Sequence, residues 1–281
     1  MTAAIRQILV HLDPTRAAAR RLAAACQAAQ GFQAPLTALY AATPGFAALP
    51  YAPAIGGPGL AGSLLDLDDR RRAQARKVFE EARRASDMDV AWAQTSRVPI
   101  AEAFAQQALF ADLVVLGQHD PADEEVGAVP ADFAESVLLA SGRPALVVPH
   151  IGAPATIGST VAIAWKETPE AARAVSAALP WLRKARRVHI LSWGEEPDAG
   201  VGGQPLGLAS YLASHGVPFT WDRAGAERQQ VGELLLSRAF DLGADLLVMG
   251  CYGHSRAREW ILGGATRTIL QSMTLPVLMV H

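Results

Sequence analysis

The chain repeats itself, and this repeat constrains its fold more than any other feature does. Three segments of the first half return in the second: QILVHLD (7–13) as TVAIAWK (160–166), ADLVVLGQHD (111–120) as ADLLVMGCYG (244–253), and RPALVVPH (143–150) as LPVLMVH (275–281). A repeat on this scale indicates two copies of one fold. We therefore predict two homologous domains, 1–150 and 157–281, with the seam near 151–159.

Each half alternates short apolar strands with segments of helix length. We place the strands near 6–12, 35–41, 88–94, 112–117 and 144–149, and near 159–165, 187–193, 217–222, 245–250 and 276–280. Apolar strands separated by helices are typical of a parallel sheet that is covered on both faces. Right-handed crossovers make such a sheet doubly wound, with ligands beyond the carboxyl ends of its strands. The predicted fold class is α/β, with two tandem doubly wound parallel-sheet domains and helices on both faces.

One stretch after the second strand interrupts this alternation. The sequence ATPGFAALPYAPAIGGPGLAGS at 42–63 is rich in proline and glycine, which favours a long mobile loop. Two interpretations stay open for it: a surface insertion without a function, or a lid over a ligand.

Composition excludes several classes of protein. Hydrophobic residues make up 51% of the chain and charged residues 19%, which is ample for a core and argues against disorder. The formal net charge of −2 argues against a broad nucleic-acid surface. Cys26 and Cys251 form neither a metal spacing nor a disulfide framework. Without a run typical of a signal peptide or a membrane span, we expect a cytoplasmic protein with neither nucleic-acid nor membrane partners.

A glycine-rich loop near the end of the chain carries the clearest functional signal. It lies in MGCYGHSRAREWILGGATRTIL at 249–270, between an apolar strand and a predicted helix that begins near ATRTILQSM. Glycine lets a backbone approach a ligand closely, and a helix N-terminus offers free N–H groups to a phosphate. Basic side chains surround the loop. The residues that we select as phosphate-binding candidates are Gly250, Gly253, His254, Arg256, Gly263, Gly264, Ala265 and Thr266.

The spacing Gly250-x2-Gly253-x9-Gly263 resembles the nucleotide-binding signature of the universal stress protein family, in its tandem two-domain form. The resemblance covers nearly the whole chain, because both halves show the family's strand order. It implies an adenine nucleotide, ATP or AMP, with or without Mg²⁺, bound in the second domain. It also implies that the two halves pack as a pseudo-two-fold pair through PALVVPH and PVLMVH, an intramolecular pseudo-dimer. Further association into a homo-oligomer stays open.

The second half departs from the family pattern at two positions. The family expects a Ser or Thr after the last glycine, where this chain has Gly264, and Thr266 offers the nearest hydroxyl. The family also has an Asp at the end of the first strand, where the second half has Lys166; a lysine can reach a phosphate as a point charge. Trp193 falls where the family lines the adenine pocket, and it could stack on a base.

The first half keeps Asp13 but lacks the glycine loop. After Gly117 it continues QHDPADEEVGAVPADFAES, which is acidic where a phosphate would bind. We expect its carboxylates to repel a triphosphate, and we expect the first domain to be degenerate. The carboxylates are those of Asp120, Asp123, Glu124 and Glu125.

A regulatory, nucleotide-binding role in a stress response is the function that the sequence favours. No catalytic residue is predicted, because the sequence shows neither a nucleophile elbow nor a metal-type histidine spacing. Two alternatives stay open: an adenine-nucleotide-dependent enzyme with slow ATP hydrolysis, and a family member that binds no nucleotide and acts as a protein-interaction module. A phosphoacceptor receiver domain is rejected, because Asp222 has no acidic companions.

Overall fold

A computed structural model of the chain describes residues 4–48, 52–86, 88–152, 156–193, 206–224, 231–251 and 264–281. The chain forms two compact units, Ile5–Ile151 and one that contains Gly152–His281. The elements of the first unit are β1 (Ile8–Leu12), α1 (Ala18–Phe32), β2 (Leu36–Ala41), α2 (Gly45–Ala48), α3 (Ala52–Ala85), β3 (Val90–Thr95), α4 (Ile100–Ala108), β4 (Leu113–Gly117), a 3-10 turn (Val126–Ala128), α5 (Phe133–Ser141) and β5 (Ala145–Val148).

The second unit repeats this order. Its elements are β6 (Thr160–Trp165), α6 (Pro169–Leu182), β7 (Arg187–Trp193), α7 (Leu208–Ser214), β8 (Thr220–Ala224), α8 (Val231–Asp241), β9 (Leu246–Gly250), α9 (Gly264–Ser272) and β10 (Val277–Val280). The third strand of this unit begins later than the sequence predicts. Pro218 has no N–H to donate to a ladder, so pairing starts only at Thr220, opposite His189.

Each unit contains a parallel sheet, and the predicted α/β fold class is confirmed. The strand order is β3-β2-β1-β4-β5 in the first unit and β10-β9-β6-β7-β8 in the second. The central strands are buried along their length, as in β1, where all five residues are buried. Burial on both faces explains the continuous apolar sequences of these strands.

The sequence repeat extends to individual contacts. The carboxylate of Asp112, at the start of β4, accepts the N–H groups of Arg6 and Gln7. At the start of β9, the carboxylate of Asp245 accepts the N–H of Thr160 in the same way. These shared contacts fix which residues of the two units are equivalent.

The prediction of a loop at 42–63 is wrong for residues 45–48 and 52–63, which are helical. Gly45–Ala48 and Ala52–Ala85 are helices, and residues 49–51 lie outside the described residues. The N–H of Gly45 donates to Asp68 Oδ1 at 2.9 Å, and a Cβ on Gly45 would lie 3.1 Å from Leu64 Cδ2. Glycine thus allows α2 to approach α3 closely, which is a tertiary effect that composition does not reveal.

Among the helices that are described, none combines the length and the apolar character needed to cross a membrane.

Candidate functional site

The sheet of the second unit has one position where a ligand crevice is expected. Strand order reverses between β6 and β9, which are neighbours in space but not in sequence. In doubly wound sheets, ligands bind beyond the carboxyl ends of the strands at this switch point. Ala164 pairs with Met249 and Trp165 pairs with Ser192, so β9, β6 and β7 end at nearly the same level.

Three of the predicted site residues meet at this edge. Gly250 is the last residue of β9, Lys166 directly follows β6, and Trp193 is the last residue of β7. Neighbouring strands lie about 4.8 Å apart, so Gly250 and Trp193 are separated by about 10 Å across the sheet. A span of this size matches the distance from a phosphate to a nucleobase. Lys166, exposed, lies between them.

Gly250 is required by packing as well as by its position. A Cβ on Gly250 would lie 2.5 Å from the backbone N of Ala171 and 2.5 Å from the backbone C of Glu170. The first turn of α6 therefore presses directly on the end of β9. This turn is fixed by Thr168, whose Oγ1 accepts the N–H of Ala171 at 3.3 Å, and by Pro169, which is well suited to a first helical position.

Helix α9 begins at Gly264, as the sequence predicts. Gly264 is exposed, with no atom of the described residues within 4 Å of a Cβ built on it, whereas Thr266 is buried. Ala265 is half-buried, and its carbonyl lies 3.0 Å from the Cβ position of Gly232 in α8. The first turn of α9 contains no acidic side chain, and Arg267 is exposed there. An N-terminus of this kind attracts an anion.

The equivalent helix in the first unit has the opposite charge. Pro144 and Pro276 are equivalent, because their carbonyls accept the N–H groups of Val114 and Leu247 at 3.0 Å each. Counting back from these prolines places Asp132 opposite Gly264, and Glu135 opposite Arg267. Asp132 is the N-cap residue of α5, and Glu135 lies in its first turn. Two carboxylates thus lie at the start of α5, and their negative charge disfavours an anion there.

Trp193 lines an open cavity of about 320 Å³ between β7, β8 and α8. Leu191 and Leu234 provide apolar walls, while Asp222 and Arg238 form an ion pair at its rim. The volume lies at the lower end of the range of about 300–1,000 Å³ that is usual for small-molecule sites. The cavity can therefore take a group of the size of a nucleobase.

The remaining predicted site residues, Gly253, His254, Arg256 and Gly263, lie outside the described residues. Their roles stay predictions.

The first unit has a different arrangement at the same edge. Asp13 is buried, and its Oδ2 accepts a hydrogen bond from Arg21 Nη2 at 2.7 Å. Burial alone would raise the pKa of Asp13, but Arg21 and the neighbouring hydrogen bonds outweigh it, and this pKa lies below its ordinary value. Burial also lowers the pKa of His11 from 6.5 to about 4, although Asp13 opposes this effect. His11 is therefore neutral near pH 7, and its Nε2 lies 2.8 Å from the Ala41 carbonyl oxygen.

Three of the four carboxylates of the acidic loop are paired with arginines, which reduces the repulsion that we expected; the first of them, Asp120 Oδ2, lies 3.6 Å from Arg16 Nη2. Asp123 is buried and accepts the N–H of Arg16 at 2.9 Å and its Nε–H at 3.3 Å. Glu125 accepts a hydrogen bond from Arg71 Nε at 2.7 Å. These arginines offset the negative charge, so the loop is held to the first unit rather than directed at a ligand.

Sequence reasoning missed the roles of Arg21, Asp132 and Glu170. Glu170 is buried beside Gly250 and accepts a hydrogen bond from Arg173 at 3.0 Å. A signal for two of the three was available in the repeat: Arg21 interrupts an alanine-rich helix opposite Ala174, and Asp132 lies opposite Gly264. Comparing the two halves position by position would have identified both.

The chain is similar to known proteins both in sequence and in fold. The model of the universal stress protein family matches residues 223–281. The fold is similar to that of a universal stress protein from Archaeoglobus fulgidus DSM 4304, with a TM-score of 0.69 and 13% identity over 98% of this chain and 95% of that chain. It is also similar to a functionally unknown protein from Pseudomonas aeruginosa PAO1, with a TM-score of 0.55 and 16% identity over 99% of this chain and 92% of that chain.

A comparison with curated proteins finds no match. At these identities the structural likeness shows the fold alone, whereas the family model is a likeness in sequence. The resemblance to the universal stress proteins is therefore confirmed in sequence over residues 223–281 and in fold over nearly the whole chain.

Proposed function

We propose that the protein binds one adenine nucleotide, ATP or AMP, in its second unit, and that it acts as a regulator rather than as an enzyme. The observation that carries this proposal is the contrast between two equivalent helix starts. Helix α9 begins at exposed Gly264 and has Arg267 in its first turn, whereas α5 begins beside Asp132 and has Glu135. Free N–H groups and a positive charge favour a phosphate at α9 and disfavour it at α5.

The edge of the sheet offers contacts for the rest of the ligand. Phosphates at the start of α9 would lie beside Gly250, with Lys166 as a further positive charge. The base would then extend toward Trp193 and the cavity of about 320 Å³ that it lines. We propose that Trp193 contacts the base and that the residues of the glycine loop bind the phosphates, as the sequence predicts for Gly253, His254, Arg256 and Gly263. Mg²⁺ would reach the protein as a partner of the nucleotide phosphates.

Calorimetry on the full chain tests the proposal, with ATP and with AMP, each in the presence and absence of Mg²⁺. We expect one site per chain. Gly264→Glu places a carboxylate at the start of α9, as Asp132 does in α5, and should weaken binding at least about tenfold. Gly264→Gln is the matched control, since it adds the same bulk without the charge, and it should change affinity by less than about threefold.

Three outcomes would contradict the proposal. Two sites per chain would place a working pocket in the first unit as well. Absence of binding would favour the protein-interaction module. Release of phosphate from ATP at a rate that rises with the concentration of the protein would favour the enzyme with slow ATP hydrolysis.

We also propose that the two compact units are the two domains of a tandem protein, 1–150 and 157–281. Cytoplasmic localisation and pseudo-two-fold pairing stay predictions, whereas assembly into a homo-oligomer stays open. Sedimentation velocity over a range of protein concentrations gives the oligomeric state, and a mass that stays at one chain throughout would exclude a homo-oligomer.

A further inference from the structure

The guanidinium group of Arg21 lies inside the crevice of the first unit. Arg21 is 3% exposed, and its Nε donates to the His11 carbonyl at 2.6 Å while its Nη2 donates to Asp13. A Cβ built on Gly117 would lie 2.1 Å from Nη1. The side chain therefore extends from α1 across the end of β1 to the backbone at the end of β4. This is the switch point of the first sheet, where a ligand would bind.

Little space remains beside it. The cavity lined by His11, Asp13, Arg21 and Gln118 has a volume of about 40 Å³. A single water needs about 10–15 Å³ by such a measure, and small-molecule sites start near 300 Å³. Gln118 Nε2 is buried in this wall and has no hydrogen-bond partner among the described residues, which suits a bound water. The crevice can hold water but no ligand as large as a nucleotide.

The equivalent position of the second unit carries a different side chain. Ile8 pairs with Leu113 in the first unit and Val161 pairs with Leu246 in the second, and counting forward from Ile8 and Val161 places Arg20 opposite Arg173. The next residue is Arg21 in the first unit and Ala174 in the second. A methyl group cannot extend to the neighbouring strand end.

We propose that Arg21 is a built-in occupant of the first crevice: its guanidinium takes the place of a ligand there and so excludes a second nucleotide site. The first crevice is in this sense a binding site for a guanidinium group, with Asp13 and the His11 carbonyl as acceptors. The chain fills this site with its own side chain. The inference rests on the proposed function only for the identity of the ligand in the second unit.

Chemical rescue tests whether the first crevice is a site for a guanidinium group. Arg21→Ala in the full chain should lower the Tm, since Asp13 is then buried without its partner. Millimolar methylguanidinium should restore at least half of the loss, whereas methylammonium at the same concentration should restore little, because it lacks the planar pair of donors. Where Arg21→Ala is unfolded without an additive, recovery of its circular dichroism spectrum on adding methylguanidinium is the readout.

Two variants serve as controls. Asp13→Asn combined with Arg21→Ala removes the acceptor carboxylate, so methylguanidinium should no longer raise the Tm. Arg72→Ala removes a half-exposed arginine whose partner, Asp69, is also exposed, and it should show no rescue, because no buried site is emptied. Absence of rescue in Arg21→Ala, or equal rescue in all three variants, would overturn the proposal. No nucleotide enters these measurements, so their outcome is independent of whether the second unit binds ATP.

Discussion

Gly250→Ala tests whether the first glycine of the loop is needed for packing. The added methyl would lie 2.5 Å from the backbone N of Ala171 and 2.8 Å from Cβ of Glu170, distances that real Cβ atoms do not show. Because these atoms belong to the first turn of α6, relief requires a movement of the helix rather than of a flexible side chain. Overpacking of this kind costs about 1–3 kcal/mol. We expect a loss of that size in the free energy of unfolding in urea, with an unchanged m-value.

Gly264→Ala is the matched control. A methyl there meets no described atom within 4 Å, and alanine restricts the unfolded chain more than glycine does. The variant should be as stable as the parent or more stable by about 0.4–1 kcal/mol. The reasoning would be refuted if Gly250→Ala unfolded at the same urea concentration as the parent, or if both variants lost stability equally. The two glycines of one sequence signature would then have no distinct structural roles.

Three further predictions concern other sites. The pKa of His11 is about 4 in the folded chain and 6.5 in the unfolded chain, so the unfolded chain binds more protons between these pH values. The free energy of unfolding should therefore fall by about 3 kcal/mol as the pH drops from 6.5 to 4. His11→Asn should reduce this pH dependence in urea titrations. Asp245→Ala should lower the free energy of unfolding in urea by at least about 3 kcal/mol, because four hydrogen-bond donors lose a buried acceptor. Asp112→Ala, which affects two donors at an exposed site, should lower it by about 1 kcal/mol. Equal losses in the two variants would contradict this argument. Gly264→Ser supplies the hydroxyl that the family pattern expects and should strengthen ATP binding by about five- to tenfold in calorimetry, while an unchanged affinity would count against a phosphate at the start of α9.

The repeat and the apolar runs were sufficient to predict the parallel sheets. Such strands are local in sequence: five consecutive buried residues such as those of β1 suit only a strand covered on both faces. Helix α9 was predictable for a similar reason, because the amphipathic pattern of ATRTILQSM is a local signal. The likeness to the universal stress proteins followed from the same stretch of sequence.

Other features were decided only by tertiary contacts between distant residues. Gly45 begins a helix because Asp68 and Leu64 lie against it, although its local composition favours a loop. The carboxylate of Asp123 is neutralised by Arg16, 107 residues earlier in the chain. Arg21 fills the first crevice because the sheet brings Asp13 and Gly117 to its guanidinium. Sequence periodicity determines which face of an element is buried, whereas the partner of a charged or small residue depends on which elements the fold brings together.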